Sequence, residues 1–543
     1  MNPSQQDFSL LLSQLSEIGI ALSAEKNHGR LLEMILTRAK AMTGADGGTL
    51  YLRGDGNTLN FEIMHTESLG VHQGGTSGRP IDLPPLALYD ADGQPNRHAV
   101  AAWAALSGEP INIEDAYTSD DFDFSGTRQF DEMTGYRSKA FLTVPMTNHE
   151  AENIGVLQLI NPIDPASGEI RAFSPLDQKL VEALAAQAAV TLTNRSLIAA
   201  QRQLFDSLVQ LIANAIDEKS PYTAGHCRRV PVLTTLLAEA ASRIQYGPLK
   251  EFSLNDDDRY ELEVAAWLHD CGKITTPEYV VDKATKLETI FDRVNMVDTR
   301  FEVLRRDAEI AALRSQLEAA GVDPDEALSS ERVYRARVNE LKAAREFVRH
   351  VNIGGESMSE EDQARVRALA TEYWLDMDGK KQPLLNEDET MNLQISRGTL
   401  TPAEREVINN HIVVTIKMLE SLPYPKHLKK VPEYAGGHHE KMDGTGYPRQ
   451  LTREQMSVPA RVMVIADIFE ALTAADRPYK KAMPLSQALT ILGRMKENHH
   501  VDPDLFDIFM WEKVYLQYAE QHLQAEQVDA FDLDAIPGYS PPQ

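Results

Sequence analysis

The longest unbroken pattern in this chain is a heptad alternation over residues 174–212, which separates two unlike halves of the sequence. Apolar residues recur there at alternating spacings of four and three, with glutamine or asparagine at some positions. Because only a helix brings such positions onto one face, the stretch predicts a single long helix. The series consists of Leu176, Leu180, Ala183, Gln187, Val190, Asn194, Leu197, Gln201, Leu204, Leu208 and Leu211.

The start of this helix is marked by its first residues. Ser174 can cap it, Pro175 suits the first helical position, and Asp177 favours the positive end of the helix dipole. A heptad face of this kind favours a signalling helix that joins two domains and forms a homodimer. The alternative is one long helix that packs only on its own domain.

Strand patterns dominate the sequence before this helix, after a helical stretch over residues 1–45. GGTLYL (47–52) and LNFEIM (59–64) flank a Gly54-Asp55-Gly56-Asn57 turn, and AFLTVPM (140–146) and IGVLQLI (154–160) flank another polar turn. We therefore predict an α+β domain with an antiparallel sheet over residues 1–170.

Three stretches of this region, SGEPINIEDAY (107–117), TGYRSKAFLTVPM (134–146) and IGVLQLINP (154–162), resemble a GAF domain. GAF domains are sensors that bind cyclic nucleotides, haem, bilins or nothing. Phe130-Asp131-Glu132 is similar to the acidic motif of cyclic-nucleotide-binding members, and no cysteine here can form a bilin thioether. The resemblance implies a sensor whose ligand, if any, is unknown, with a purely structural domain as the alternative.

Composition limits the partners of the chain. A formal net charge of -27 argues against binding to a nucleic acid polymer or to an anionic membrane. The only two cysteines, Cys227 and Cys271, make no disulfide framework, which suits the cytoplasm. No apolar run approaches the ~20 residues needed to span a bilayer, and the N-terminal stretch is typical of an amphipathic helix rather than a signal peptide.

The sequence after the heptad stretch is helical in pattern over residues 213–520, with an odd block at about 289–397. That block has charged, helix-like stretches followed by a polar, loop-rich part, WLDMDGKKQPLLNEDETMNL. We interpret it as an inserted helical subdomain or a lid over the active site. The alternative is a solvent-exposed helical hairpin with no catalytic role. Residues 521–543 form a C-terminal tail.

Five of the 15 histidines of the chain lie in short motifs of this helical part. In WLHDCGK, His269 and Asp270 end an apolar helical run, and Gly272 can stop the helix. A neutral imidazole beside a carboxylate at a buried helix end is unfavourable unless a cation balances the charge. The other motifs are TAGHCRR with His226, NNHIVV with His411, GGHHEKMDGTGYP with His438 and His439, and VIADIFEAL with Asp467.

The GGHHEKMDGTGYP motif strengthens the case for a metal. His438 and His439 can converge on one cation if they lie on a turn. Glu440 and Asp443 are expected to orient the imidazole N–H groups. Gly446 would let the backbone approach substrate or metal closely.

The residue types indicate which metals fit and what they do. Five histidines and two aspartates, with no assigned cysteine, suit iron or manganese, with zinc, nickel or magnesium as alternatives. Seven ligands are too many for one tetrahedral zinc and suit two divalent metal ions about 3.5–4 Å apart, bridged by Asp270. Such a pair acidifies a water and holds a phosphodiester, so the motifs predict hydrolysis of a phosphate ester.

These motifs, together with GTLTPAEREVINNH, ADIFEALTAADRPYK and VDPDLFDIF, resemble the HD-GYP domains, bacterial cyclic di-GMP phosphodiesterases of the HD superfamily. The resemblance covers residues 212–515 apart from the inserted block and implies an all-α domain. It implies one metal among His226, His269, Asp270 and Asp467, and a second among Asp270, His411, His438 and His439.

The resemblance also implies roles for residues that touch the substrate. Lys273 would face the scissile phosphate and either neutralise its charge or protonate the leaving oxygen. Tyr447, Arg477 and Lys480 would hold the second phosphate or the ligand backbone, unless they are a packed tyrosine and solvated charges.

Some HD-GYP members hold a third metal through a glutamate shortly before the first histidine. Tyr222 stands four residues before His226 here, so we expect two metals. Asp217 and Glu218 are the residues that can contradict this expectation.

The expected reaction is hydrolysis of cyclic di-GMP to linear pGpG, and the end product is either pGpG or GMP. Cyclic GMP-AMP is the alternative substrate, because nothing in the sequence selects the second base. Two other classes compete: a module that binds a cyclic dinucleotide without turnover, and a general nucleotidase.

Overall fold

The computed structural model describes residues 16–219, 225–319, 324–355, 357–475 and 482–542. The chain divides into two compact units, Met1–Leu204 and Phe205–Gln543. Each unit is built around its own core.

The first unit is an α+β structure around one antiparallel sheet. The strands follow the order β3-β2-β1-β7-β6-β5, and β4 pairs with β2. The strands are β1 Ala45–Gly54, β2 Thr58–Thr66, β3 Val71–Gly74, β4 Leu86–Ala87, β5 Ile111–Ile113, β6 Phe141–Thr147 and β7 Asn153–Pro162. The helices are α1 (residues 16–24), α2 His28–Thr43, α3 Val100–Ser107 and α4 Ser125–Thr134, followed by the start of α5 Pro175–Lys219.

Both predicted hairpins form. β1 and β2 pair across a turn in which Gly56 and Asn57 have positive φ, which explains the glycine and asparagine in the turn. α2 and the first part of α5 bury Leu32 and Val181 in one core cluster with residues of the sheet. α3 belongs to a separate cluster with Tyr51. The predicted GAF-like antiparallel domain is therefore present.

Asp131, the acidic residue suggested by the GAF resemblance, is buried and fully engaged within the domain. Its carboxylate accepts hydrogen bonds from the Tyr117 hydroxyl at 2.6 Å, the Ser138 amide at 2.7 Å and the Ser138 hydroxyl at 2.8 Å. Asp131 therefore stabilises the segment between α4 and β6.

α5 begins as the sequence predicted, at Pro175, and continues to Lys219, beyond the predicted boundary at 212. Val209, Ala213 and Ile216 are buried in the core of the second unit, which explains the longer helix. The predicted domain boundaries at 170, 174, 212 and 520 stay predictions.

The second unit is helical around one large apolar core. Its helices outside the insertion are α6 His226–Arg243, α7 Asp256–Leu268, α8 Glu278–Val281, α13 Pro402–Asn409, α14 His411–Glu420, α15 Val431–Gly436, α16 Val458–Thr473, α17 Leu485–Glu497, α18 Pro503–Trp511 and α19 Val514–His522. A 3-10 turn, Cys271–Thr275, follows α7. In the predicted tail, Gln527 and Ile536 are buried.

The inserted block has a core of its own, which includes Phe301, Leu341 and Leu384. Its helices are α9 Val294–Ala319, α10 Pro324–Asn352, α11 Glu360–Ala370 and α12 Glu387–Leu393. The expectation of a loop-rich second part was incomplete. Tyr373–Leu375 and Lys381–Pro383 pair as the hairpin β8–β9, because Gly379 supplies the positive φ of its turn.

No described helix combines the length and the hydropathy that crossing a bilayer requires.

The start of α5 gives a test of the first unit. Asp177 is 6% exposed, pairs with Arg171 at 2.6 Å and accepts from the Ser174 amide and hydroxyl at 2.7 and 2.8 Å. Asp177→Asn should destabilise this helix start by about 1–3 kcal/mol, because the amide loses the charge-assisted bonds. Hydrogen–deuterium exchange of the amides of residues 174–181 measures this loss.

The pH dependence of that effect follows from the pKa of Asp177. Burial raises this pKa, but Arg171 and Ser174 outweigh burial and hold it below its usual value. The contribution of the carboxylate is therefore complete above about pH 4 and disappears as the pH falls through the lowered pKa of the folded state. The control is Glu182→Gln on the same helix, whose pair with Lys179 is exposed; an equal effect of both variants would contradict the prediction.

Candidate metal centre

The seven predicted metal ligands lie at helix ends and on one helix of the second unit, and these elements converge. His226 is the first residue of α6, and His411 is the first residue of α14. His269 and Asp270 follow α7, and the 438–439 histidine pair follows α15. Asp467 lies within α16.

Asp270 occupies the middle of the cluster. Its Oδ2 lies 3.1 Å from His269 Nε2 and 3.4 Å from His226 Nε2. Its Oδ1 lies 3.2 Å from His411 Nε2 and 3.9 Å from His438 Nε2. The two oxygens of this buried carboxylate thus face two different sets of histidines, which is the geometry a bridging ligand needs.

The remaining ligands complete two sides of the cluster. Asp467 Oδ1 lies 3.2 Å from His226 Nε2 and 3.7 Å from His269 Nε2. On the other side, His439 Nε2 lies 3.2 Å from His411 Nε2. Among the described residues, three groups have ligand atoms within 4.8 Å of one another: His226, His269 and Asp467; His411, His438 and His439; and His269, Asp270 and His438.

Hydrogen bonds to the other ring nitrogen orient three of the histidines in the same way. The Nδ1 atoms of His269, His438 and His411 lie 2.7, 2.6 and 2.5 Å from the carbonyl oxygen three residues earlier in the chain. Because a carbonyl only accepts, each Nδ1 must carry the hydrogen. When such a ring is neutral, its Nε2 lone pair is left for a metal.

His226 is oriented by a carboxylate that the sequence analysis missed. Its Nδ1 is hydrogen-bonded to Glu470, a buried residue that also accepts from Arg229 Nε at 2.6 Å. Glu470 lies three residues after Asp467 on α16, so both carboxylates share one face of that helix. This spacing was a signal that could have found it.

The two carboxylates of the centre are ionised despite their burial. Burial raises the pKa of Asp270 and of Asp467, but Lys273 next to Asp270 and the histidines around both outweigh burial and hold both pKa values well below the usual range. Burial lowers the pKa of His269, yet Asp270 outweighs it and raises that pKa to about 9. Both carboxylates are therefore anionic, and the charge of Asp270 stabilises the protonated form of His269.

On the other side of the cluster, His438 and His439 are neutral. Burial and the adjacent His439 hold the pKa of His438 well below its usual range, and burial lowers the pKa of His439 to about 4. Neutral imidazole is the form that binds metals. Asp270 Oδ1 and His438 Nε2 are buried and make no hydrogen bond. The donor types, the neutral His438 and His439, and these two unpaired atoms fit divalent cations.

Two residues after Asp270, Gly272 permits a close approach between backbones. A Cβ added there would lie 2.0 Å from the carbonyl oxygen of His411 and 2.6 Å from the amide of Thr415. Thr415 Oγ1 also accepts from the Gly272 amide at 2.9 Å. Gly272 was predicted as a helix stop. Its structural role is to let the 3-10 turn lie against the start of α14.

Lys273 is adjacent to the centre. Its Nζ lies 2.5 Å from Asp270 Oδ2, and its side chain is 21% exposed. Burial lowers the pKa of Lys273, but Asp270 outweighs burial and raises it, so the residue is an ammonium. Its predicted contact with the scissile phosphate stays a prediction.

The GYP loop, residues 440–451, contains Gly446-Tyr447-Pro448 and packs on the centre. The roles predicted for two of its residues, Glu440 and Asp443, were wrong. Tyr447 stacks on His439 with ring centroids 4.9 Å apart, and burial raises the pKa of its hydroxyl to about 12. Glu440 does not orient an imidazole, because its carboxylate accepts from the amides of Arg449 and Leu451 at 2.7 and 2.9 Å.

Asp443, the other expected orienting residue, instead accepts from the amide and hydroxyl of Thr445 at 2.9 and 2.7 Å. A Cβ on Gly446 would lie 2.4 Å from the amide nitrogen of Lys441, so the loop itself requires this glycine. The proposed ligand-binding residues Arg477 and Lys480 lie outside the described residues.

The residues that could hold a third metal have other positions. Glu218 is exposed. Asp217 is buried and accepts from the amide of Gly225 at 3.0 Å. Neither belongs to the ligand groups found among the described residues, and Tyr222 lies outside them.

Each unit contains a stretch that matches a known domain family. Residues 27–192 match the GAF domain family, and residues 388–505 match the HD domain family. A 3'3'-cGAMP-specific phosphodiesterase 3 from Vibrio cholerae is 26% identical over 378 residues, which cover 66% of this chain and 54% of the relative.

Two shorter matches carry higher identity. A 3'3'-cGAMP-specific phosphodiesterase 1 from Vibrio cholerae is 41% identical over 80 residues, 15% of this chain and 18% of the relative. A cyclic di-GMP phosphodiesterase from Thermotoga maritima is 36% identical over 113 residues, 21% of this chain and 30% of the relative. The chain thus spans about half the length of the first of these relatives and less of the others. Both recognised domains are confirmed: the chain is a protein in which a GAF domain is joined to an HD domain.

Proposed function

We propose that the chain is a metal-dependent phosphodiesterase that hydrolyses a cyclic dinucleotide, with cyclic di-GMP as the first candidate substrate. The observation that carries the proposal is the buried carboxylate of Asp270, which faces His226 and His269 with one oxygen and His411 and His438 with the other. Relatives named as phosphodiesterases of cyclic di-GMP and of 3'3'-cGAMP support the substrate class.

The seven proposed ligands would bind two divalent cations, for which iron and manganese are the first candidates. His226, His269 and Asp467 would hold one, His411, His438 and His439 the other, and Asp270 both. Bound there, such a pair supplies an acidified water and positive charge opposite the phosphate oxygens. Zinc, nickel and magnesium are the alternatives.

The side chains around the centre would do the rest. Lys273, the ammonium beside Asp270, would neutralise the scissile phosphate or protonate its leaving oxygen. Tyr447 is held by its stack on His439 and would contact the ligand beside the centre. Arg477 and Lys480 would hold the second phosphate, and Gly446 keeps the loop closed so that Tyr447 stays in place. The first product would be linear pGpG, with GMP after a second cleavage.

Cyclic GMP-AMP is the second candidate substrate. The relative that aligns over 66% of this chain is named for 3'3'-cGAMP. The GAF domain would regulate either activity from the N-terminal side, with or without a ligand. Both cysteines are free and buried, which suits the proposed cytoplasmic location.

The decisive test measures metal content and turnover of both dinucleotides on one anaerobic preparation. We expect two metals per chain and hydrolysis of at least one dinucleotide to its linear form. Asp270→Ala should lose metal and reduce kcat by at least about 10³-fold, because it removes the ligand shared by both cations. Asp443→Ala is the matched control, since the Asp443 carboxylate accepts from Thr445 of its own loop and belongs to none of the ligand groups found among the described residues.

Each other result identifies a competing function. Tight binding of a dinucleotide without product, even with two metals bound, would support the binding module. Turnover confined to mononucleotides would support the general nucleotidase. Full activity of Asp270→Ala would exclude the proposed centre.

Glu470 gives a graded test of the His226 side. Glu470→Ala should lower metal affinity about 10–100-fold, because the Nδ1 partner of His226 is lost. Glu470→Gln keeps an oxygen that can accept from Nδ1 and should lower the affinity less. Titration of metal-free protein with Mn²⁺ measures both. Equal affinities of both variants and the unmodified chain would show that Glu470 does not support the metal ligand.

The heptad face of α5 supports the predicted homodimer. Leu197, Leu204 and Leu211 are 57%, 62% and 62% exposed, although they are large and apolar. The opposite face is already used, because Leu184 and Ala188 are buried in the core of the first unit. We therefore propose that a second copy of the chain covers the exposed face.

Leu204→Asp should convert the dimer to a monomer, because it places a charge on the apolar seam. Light scattering coupled to size-exclusion chromatography measures the mass. Ala199→Asp is the control, since Ala199 is exposed on the same helix but lies away from the seam. A monomeric unmodified chain, or a dimer that survives Leu204→Asp, would contradict the proposal.

A further inference from the structure

The last residue of α5 is bonded to the turn that carries Lys273. Lys219 Nζ lies 3.1, 2.5 and 2.6 Å from the carbonyl oxygens of Lys273, Ile274 and Thr276. An ammonium has three donors, and these three carbonyls use all of them. These three bonds fix the end of the Lys219 side chain against one segment of backbone.

These carbonyls belong to the 3-10 turn Cys271–Thr275 and the residue after it. The Lys273 carbonyl also accepts from the Thr276 amide at 3.1 Å. A cation near the last carbonyls of a helical turn is favourable. The same turn begins directly after Asp270, and Lys273 points from it to that carboxylate. Lys219 therefore holds the backbone from which the residue nearest the bridging carboxylate projects.

A second residue of the same helical turn is bonded to the start of α6. The buried carboxylate of Asp217 accepts from the amides of Gly225 and Cys227 at 3.0 and 3.5 Å. A carboxylate is favourable at this end of a helix. α6 begins with His226, so these bonds set the place of a predicted metal ligand.

The last turn of α5 thus contacts the two segments that carry His226 and Lys273, in both cases through the backbone. The turn itself is anchored, because Ala213 and Ile216 are buried in the core of the second unit. A shift of the helix along its axis would displace both segments together.

We propose that Lys219 and Asp217 are positioning residues. Through them, the last turn of α5 fixes the positions of Lys273 and His226. The inference rests on the proposed function and adds the element that regulates it. A rotation or translation of α5 would therefore change turnover by displacing the segments that carry Lys273 and His226.

Lys219→Met removes the three bonds while it keeps the length of the side chain. We expect kcat to fall about tenfold or more, because small misplacements of a group that acts on the reacting centre have effects of this size. KM and metal content should stay within twofold of the unmodified chain. Lys219→Arg should restore part of the loss, because a guanidinium also donates to several carbonyls.

The control is Lys496→Met. Lys496 Nζ also bonds a backbone carbonyl, that of Gly538, at 2.6 Å and a carboxylate, that of Asp507, at 2.6 Å. This variant should lose a lysine of comparable, partial burial and keep kcat. An unchanged kcat in Lys219→Met, or an equal loss in Lys496→Met, would overturn the inference.

A readout that needs no substrate separates this inference from the proposed function. Hydrogen–deuterium exchange of the amides of residues 271–276 should be faster in Lys219→Met than in the unmodified full chain, and unchanged in Lys496→Met. If the unmodified chain hydrolyses neither dinucleotide, the proposed function fails while the exchange still tests Lys219. If exchange in that segment is unchanged, the inference fails whatever the activity is.

Discussion

The proposed metal centre of the second unit is arranged around the buried carboxylate of Asp270. An anion with almost no exposure to water is unfavourable unless compensating charges lie close to it. Lys273 and four histidine rings surround this carboxylate. The helix ends that meet there place their histidines toward one point. Burial of these charged and polar groups lowers the folding free energy that the second unit can gain, and a bound cation would reduce that cost.

A repeated hydrogen bond at Nδ1 shows how the fold orients the histidine rings toward Asp270. Three rings use the carbonyl three residues before them, and a fourth uses Glu470. Each of these bonds fixes a ring against its own helix end or a neighbouring helix. Rotation of the rings is therefore restricted before any ligand binds, which is the condition for a well-formed metal site. α5 adds a second level of support, because its last turn holds the segments that carry His226 and Lys273.

Short sequence motifs with potential metal ligands could be predicted from the sequence, whereas contacts between residues far apart in the chain could not. The strands of the GAF domain, the start of α5 at Pro175 and the motifs of the seven proposed metal ligands were recognisable in local patterns. The structure brings those seven residues together. Glu470 was missed because its partner, His226, is 244 positions earlier. The position of Glu440 next to His439 predicts that it orients an imidazole. In the structure, the chain after Tyr447 folds back and brings the amides of Arg449 and Leu451 to the Glu440 carboxylate instead.

The sequence by itself determined that a strand-rich domain, a long heptad helix and a helical His/Asp domain follow one another. Such patterns are local, since periodicity and capping act within a few turns or one hairpin. Only the tertiary structure decided which oxygen of Asp270 faces which histidines, and that the end of α5 is bonded to the Lys273 turn. These contacts join residues far apart in the chain, and their geometry arises only when the helices pack.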